Sequence, residues 1–516
     1  MPGRSTDPPV SRRALAGLGA ALLALGLLGC QTSPRLAPEQ QAGGPPAPAS
    51  LAPALAQSID DLARSGARGT DKAGAEARHR ALVAAHLPAL LTAATPPHPA
   101  AGVQDADALQ DPAQLAGVRP VLRPTGDDTG LRRSGVGLPV VARLPAAADP
   151  NAPRAGYHLP ATLVAQPRAG SAATAAALAD PDAAAQVPTA AGTLPIAMDL
   201  RAPIDATTAT GIRPLAAIGN LLRPGRFRGE PRIVFLEPFQ PDKTPLVLVH
   251  GLLSTPDIWK PLVTQLWADP RIRDCCQLWF FYYPTGQPVP LSALQLRYAL
   301  DDAVAHTGLD RPMILIGHSM GGILSRAQVS GIGPTRAETI VPGVSDLAEY
   351  NRVRRALIFE PRTDVARAVF LFTPHRGSRL AANGAGALVI RLIQLPDTLL
   401  NETEHALNQI AGGESRRLPT SIHGLSPRSR FLRALDATTP TVPVHSVLGN
   451  RGRGDGSSGS DGVVPVSSAR LAAAESEVIV PTGHGGFDHP NAVAEVTRIV
   501  LLEVEQQRAA AAPAQP

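Results

Sequence analysis

The chain has 516 residues, 44% of them hydrophobic, and a net charge of +5, so it can bury a large core and is too mildly basic to suggest a nucleic-acid partner. Lysine occurs only at positions 72, 243 and 260, no basic run interleaves with aromatics, and three cysteines exclude a disulfide framework. No cysteine pair has zinc-ligand spacing with a histidine and no glycine-rich phosphate loop carries a lysine, so neither a metal nor a cofactor is expected.

Arg4, Arg12 and Arg13 precede an apolar stretch from Ala14 to Leu28, too short to span a bilayer and read as a cleaved signal over residues 1–29. It ends in Leu27-Leu28-Gly29-Cys30, which resembles a bacterial lipobox, so Cys30 is expected to be the lipidated first residue of the mature chain. Gln31 follows in place of an inner-membrane-retaining aspartate, which points to the outer membrane, facing the periplasm. Residues 30–145 read as an Ala/Pro-rich, partly disordered tether containing a helical pattern over 56–95 and an irregular stretch over 96–135.

Residues 146–240 form a β-containing extension. "HLPATLVAQP" and "IVFLEP" are short strand-like runs bounded by proline, as is "VGLPVVARLP" just before it. Over residues 241–508 apolar runs recur at Leu246–Val249, Leu278–Tyr283, Met313–Ile316, Ala368–Phe372, Val444–Leu448 and Val478–Val480. Helical patterns such as Leu291–Ala305 and Ala492–Glu505 separate most of them. Near-continuous apolar strands alternating with helices predict an α/β fold, a mostly parallel sheet with helices on both faces. The spacing widens at about 330–365 and 376–441, where cap insertions are expected, and 509–516 reads as a disordered tail. Cys275 and Cys276, adjacent at the start of a strand, read as buried free thiols.

Gly317-His318-Ser319-Met320-Gly321 follows one of these strands and precedes a helix, the context in which G-x-S-x-G exposes a nucleophilic serine on a sharp turn. Oxyanion donors are expected from the amide of Met320 and, in the loop after "PLVLVHG", from the amide of Leu252. His250 and His318 read as structural. Asp461, followed at once by the apolar Val463-Val464, is the candidate acid, with Asp455 its competitor. Two histidines in "TGHGGFDHP" compete for the base: His484, in the glycine-flanked loop, is favoured over His489, which precedes a helix-starting proline. Serine, acid and histidine then follow one another in the order Ser319, Asp461, His484.

With "DKTPLVLVHGLLSTPDIW", "FYYPTGQP", "LIGHSMGG", "LFTPHRGS", "GSDGVVPVSSA" and "GHGGFDHPNAVAEV", the chain resembles the α/β-hydrolase superfamily, and among its members the bacterial lipase/esterase-like lipoproteins. The resemblance covers about residues 195–505 and implies an α/β-hydrolase fold. It implies hydrolysis of a hydrophobic carboxylic ester through an acyl-enzyme, with Ser319, Asp461 and His484 as the triad. His375 and Arg376 of "TPHRGS" are expected to be structural or cap-anchoring, and "YPTG" to line the mouth of the site. Acyl transfer or amide cleavage on the same triad, and a non-catalytic envelope scaffold, are the alternatives.

Overall fold

The structure, a computed structural model, describes residues 51–68, 71–94, 115–123, 130–167, 174–182, 186–189, 192–208, 230–378, 424–452 and 458–511. The signal, Cys30 with the tether up to residue 50, the stretches 95–114 and 124–129, Asp455 and much of the longer insertion (379–423) lie outside these residues.

Three helices open the described chain, Leu51–Arg68, Lys72–Ala85 and Leu87–Ala93. They pack on one face of an antiparallel sheet made from β1 (Gly117–Pro120), β3 (Leu138–Leu144), β4 (Tyr157–Pro167) and β5 (Thr174–Ala179), in the order β1-β3-β4-β5. The shared core is Leu51, Leu55, Val83, Leu87 and Leu90 against Val140, Ala161, Leu163 and Leu178. A boundary at residue 145 therefore cuts through one hydrophobic core, because the helices before it have their apolar face on strands after it. The stretch 96–135, read as irregular, contributes β1 and also β2 (Arg132–Arg133). Two small ladders complete this region: β2 pairs with β8 (Met198–Asp199), and β6 (Gln186–Thr189) pairs with β7 (Gly192–Pro195).

The second sheet has seven strands in the order β15-β14-β13-β12-β10-β11-β9. They are β9 (Arg232–Phe235), β10 (Thr244–Val249), β11 (Cys276–Tyr282), β12 (Met313–His318), β13 (Val365–Leu371), β14 (Val444–Gly449) and β15 (Ser476–Val480). All pairings are parallel except that of β9 with β11. Strand side chains alternate between two cores, as the pleat requires. Val247, Val249, Leu315 and Phe370 face the helices Val289–Thr307 and Met320–Arg326. Leu246, Leu248, Ile316 and Leu371 face the helices Lys260–Ala268 and Pro490–Ala511. Burial on both faces is why these strands read as unbroken apolar runs.

Strand β9 lies before residue 241 yet is the outer strand of this sheet. Its far edge is covered by the segment around Asn151: the Phe235 amide donates to the Asn151 carbonyl at 2.9 Å, and Asn151 Nδ2 donates to the Ile233 carbonyl at 2.9 Å. The Arg273–Asp182 ion pair, at 2.6 Å, further ties the two sheets' regions together. At the other end, the C-terminal helix continues past 508 to Ala511, as an alanine run with high helix propensity allows. Among the described residues, no helix is long and apolar enough to cross a membrane, and Cys275 and Cys276 are buried free thiols.

Candidate active site

Strand β12 ends at His318, and the chain turns abruptly at Ser319, whose φ of 55° and ψ of −121° lie in a region that side-chain-bearing residues rarely occupy. The turn is held on both sides. The Ser319 amide donates to the Leu371 carbonyl on β13 at 2.9 Å, and the Ser319 carbonyl accepts from the Gly322 amide at 3.0 Å. The helix Met320–Arg326 then packs its first turn onto the end of β10 so closely that a Cβ at Gly321 would lie 2.0 Å from the Val249 carbonyl oxygen. Glycine at 321 is thus a requirement of backbone packing.

The loop after β10 comes equally close to the serine: a Cβ at Gly251 would lie 2.9 Å from Ser319 Cβ. This sets Leu252 beside the turn. Among the described residues neither the Leu252 amide nor the Met320 amide donates to a protein acceptor, so both expected oxyanion donors are available to a bound group. The loop is fixed from beneath. The Tyr283 hydroxyl donates to the His250 carbonyl at 2.7 Å, the His250 ring stacks on Tyr283, and Thr285 Oγ1 accepts from the Leu253 amide at 3.3 Å. Burial pushes the His250 imidazole down to about 4, so it is neutral and structural. "YPTG", read as lining the mouth, thereby also braces the loop that carries Leu252.

His484 lies in the loop after β15. Its Nε2 is 2.8 Å from Ser319 Oγ, and its Nδ1 is 2.7 Å from Asp461 Oδ2. Asp461 is 1% exposed and sits at the end of β14. Its other oxygen accepts from the amides of Val463 at 2.7 Å and Val464 at 2.6 Å. Two backbone donors on Oδ1 orient the carboxylate so that Oδ2 faces the imidazole. This is what the apolar pair after Asp461 accomplishes: burying Val464 draws both amides over the carboxylate. His489 is elsewhere, with its Nδ1 accepting from the Asn491 amide at 3.2 Å at the start of the C-terminal helix.

His318 has a positioning contact that the motif alone does not disclose. Its Nε2 donates to the His484 carbonyl at 2.8 Å, which holds the loop carrying the candidate base against the turn carrying the serine. Burial, reinforced by the neighbouring His484, pushes His318 down to about 3, so its ring is neutral. It is packed by Phe372, Phe487 and Trp259. His375 and Arg376 stand away from this relay. His375 is buried beside Arg326, and Arg376 binds Asp436 at 3.0 Å and the carbonyls of Ser467 and Arg470. Both therefore anchor the segment leading into the longer insertion.

Residues 246–496 match the model of the alpha/beta hydrolase family. This part of the chain belongs to the α/β-hydrolase superfamily. No curated protein matches the chain significantly. Among solved structures, this α/β hydrolase is similar to a lipase of Bacillus licheniformis in its mature form, with 20% identity and a TM-score of 0.33 over 53% of this chain and 99% of that one. It is also similar to a lipase-esterase related protein of Clostridium acetobutylicum, with 13% identity and a TM-score of 0.28 over 53% and 98%. An esterase of Exiguobacterium antarcticum has 14% identity and a TM-score of 0.27 over 53% and 96%. Among the described residues of the hydrolase, no group of three or more His, Cys, Asp or Glu side chains could hold a metal ion.

Proposed function

We propose that this α/β hydrolase is a serine esterase, cleaving carboxylic esters through an acyl-enzyme on Ser319. The observation that carries the reading is the unbroken hydrogen-bond relay from buried Asp461 through His484 to Ser319 Oγ, ending on a serine in a strained turn beside two available amides.

In this reading His484 Nε2 takes the proton as Ser319 Oγ attacks the acyl carbon. Asp461 keeps the proton on Nδ1 and stabilises the imidazolium, and the Met320 and Leu252 amides bind the oxyanion. The imidazolium gives its proton to the leaving alkoxide, and the acyl-enzyme remains. A water molecule, deprotonated by the same nitrogen, attacks the acyl carbon; the acid leaves and Ser319 regains its proton. Lipidation at Cys30 would tether the domain to the bacterial envelope, facing the periplasm, and a site held at a membrane suits a hydrophobic ester.

The test is labelling with a fluorophosphonate probe together with turnover of an ester panel of graded acyl length. Wild type should label and Ser319→Ala should not, with ester turnover falling on the order of 10⁴-fold or more. A correctly folded wild type that neither labels nor turns over any ester would end this reading.

A further inference from the structure

A second concave surface lies between two short helices, Pro334–Glu338 in the first insertion and Arg430–Asp436 near the end of the second. It is a groove of about 530 Å³ lined by Thr335, Arg336, Thr339, Arg430, Arg433 and Ala434. Arg430 and Arg433 are one turn apart on one wall and are exposed, while Arg336 is half-buried on the other.

Many of the described arginines are held by a carboxylate, as in Arg123–Asp199, Arg271–Asp269, Arg362–Asp364, Arg367–Glu503 and Arg498–Glu495. The three groove arginines have no such partner among the described residues. The nearest carboxylates in sequence are committed elsewhere. Glu338 accepts from the amides of Gly343 and Ser345 at 2.6 and 2.9 Å, and Asp436 binds Arg326 and Arg376. Arg430 and Arg433 each make one long contact to a carbonyl, of Ile340 at 3.5 Å and of Arg428 at 3.3 Å, which leaves most of their N–H donors unused. Three guanidinium groups that line one groove with no carboxylate among its lining residues give that groove a positive potential that favours an anion.

We propose that this groove is a binding site for a phosphate group, distinct from the hydrolase centre. Planar guanidinium forks pair with tetrahedral phosphate oxygens bidentately, and the Thr335 hydroxyl, on the same wall as Arg336, supplies a further short-range donor, while that of Thr339 is committed to the Arg336 carbonyl at 2.7 Å. The same chemistry would take a phosphate carried on a soluble molecule or a phosphomonoester lipid headgroup.

The experiment uses the full chain and two probes: inorganic phosphate followed by calorimetry, and phosphatidylcholine vesicles with or without phosphatidic acid followed by co-sedimentation. Wild type should bind at least one probe. Arg430→Ala/Arg433→Ala and Arg336→Ala should each weaken that binding by about tenfold or more, with thermal melting and turnover of a neutral soluble ester unchanged. Binding of inorganic phosphate assigns a soluble source, and binding of phosphatidic-acid vesicles alone assigns the headgroup; both support the site. The triple Arg→Lys variant keeps the charge and loses the forks, so it should also bind more weakly. Equal binding by wild type and the alanine variants, no binding of either probe, or full binding by the lysine variant would overturn the proposal.

Discussion

Asp461 Oδ2 lies 2.7 Å from His484 Nδ1 while Asp461 Oδ1 is held by two backbone amides. The carboxylate therefore cannot rotate away, and the imidazole must carry its proton on Nδ1, leaving Nε2 free to accept from Ser319. In Asp461→Asn, the amide oxygen would keep the two backbone donors and the NH₂ would face His484. That inverts the tautomer and places a proton on Nε2, where it opposes the serine hydroxyl. We expect kcat to fall on the order of 10³–10⁴-fold with KM nearly unchanged and the melting temperature close to wild type. A loss of less than tenfold in steady-state ester hydrolysis would contradict this role.

The two loop histidines separate by function. His484→Ala should remove ester turnover as completely as Ser319→Ala. His489→Ala should retain most of it and lose only about 1 kcal/mol of stability, because its ring nitrogen accepts a single amide at a helix start. Parallel kinetics and urea melts of the two variants measure this. If His489→Ala were the inactive one, the geometry of the loop would be misassigned.

Glycine at 321 is demanded by backbone and not by a movable side chain. Gly321→Ala puts a methyl group 2.0 Å from the Val249 carbonyl, and neither the helix nor β10 can yield cheaply. We expect a stability loss of about 3 kcal/mol or more and at least a hundredfold loss of turnover. Gly333→Ala is the control: no atom lies within 4 Å of its Cβ, so its melting temperature should match wild type, within about 0.5 kcal/mol.

Buried histidines make the fold sensitive to mild acid. His79, His250 and His445 are pushed down to about 4 and His318 to about 3, in each case chiefly by burial. His79 gives the reason in miniature: its Nε2 accepts the Gly137 amide at 2.9 Å, and a second ring proton would face that N–H. In the unfolded chain these groups titrate near 6.5. Their contribution is complete above that value and declines as pH falls from about 6.5 toward 4, because only the unfolded state then takes up protons. Each should forfeit on the order of 1 kcal/mol per pH unit in that window. Melting temperatures at pH 7.5, 6 and 5 should fall steadily, and His79→Gln should flatten the slope. A constant melting temperature across this range would refute the account.

Five of the six parallel strands were legible because each is buried on both faces and its apolar run survives any choice of period; β15, half-buried at the sheet edge, showed only as the short run Val478–Val480. The serine turn was legible because close backbone approach leaves glycine as the only residue that fits. Other features were not. β5 is "TAAALA", whose alanines carry no strand preference, and β1 is a four-residue strand containing Arg119 and Pro120. The core shared by residues 51–93 and 138–179 joins segments separated by a long stretch of sequence, so no local pattern marks it. His484 and His489 sit in one glycine-rich loop, and only the fold of that loop, with the Gly486 amide turned back to the Gly483 carbonyl, distinguishes them. The hold of His318 on the His484 carbonyl joins positions 166 apart in sequence and has no sequence signature.

The clasp of Asn151 on β9 bears on how this protein can be handled. A fragment cut to the family-matched stretch 246–496 would discard β9 and leave β11 as a bare rim; one begun at residue 230 would keep β9 but strip away its cover. Either fragment would offer unpaired peptide groups along a hydrophobic border, an invitation for copies to zip together into polymers. The N-terminal region would then serve the hydrolase as a built-in guard against self-assembly, whatever else it does.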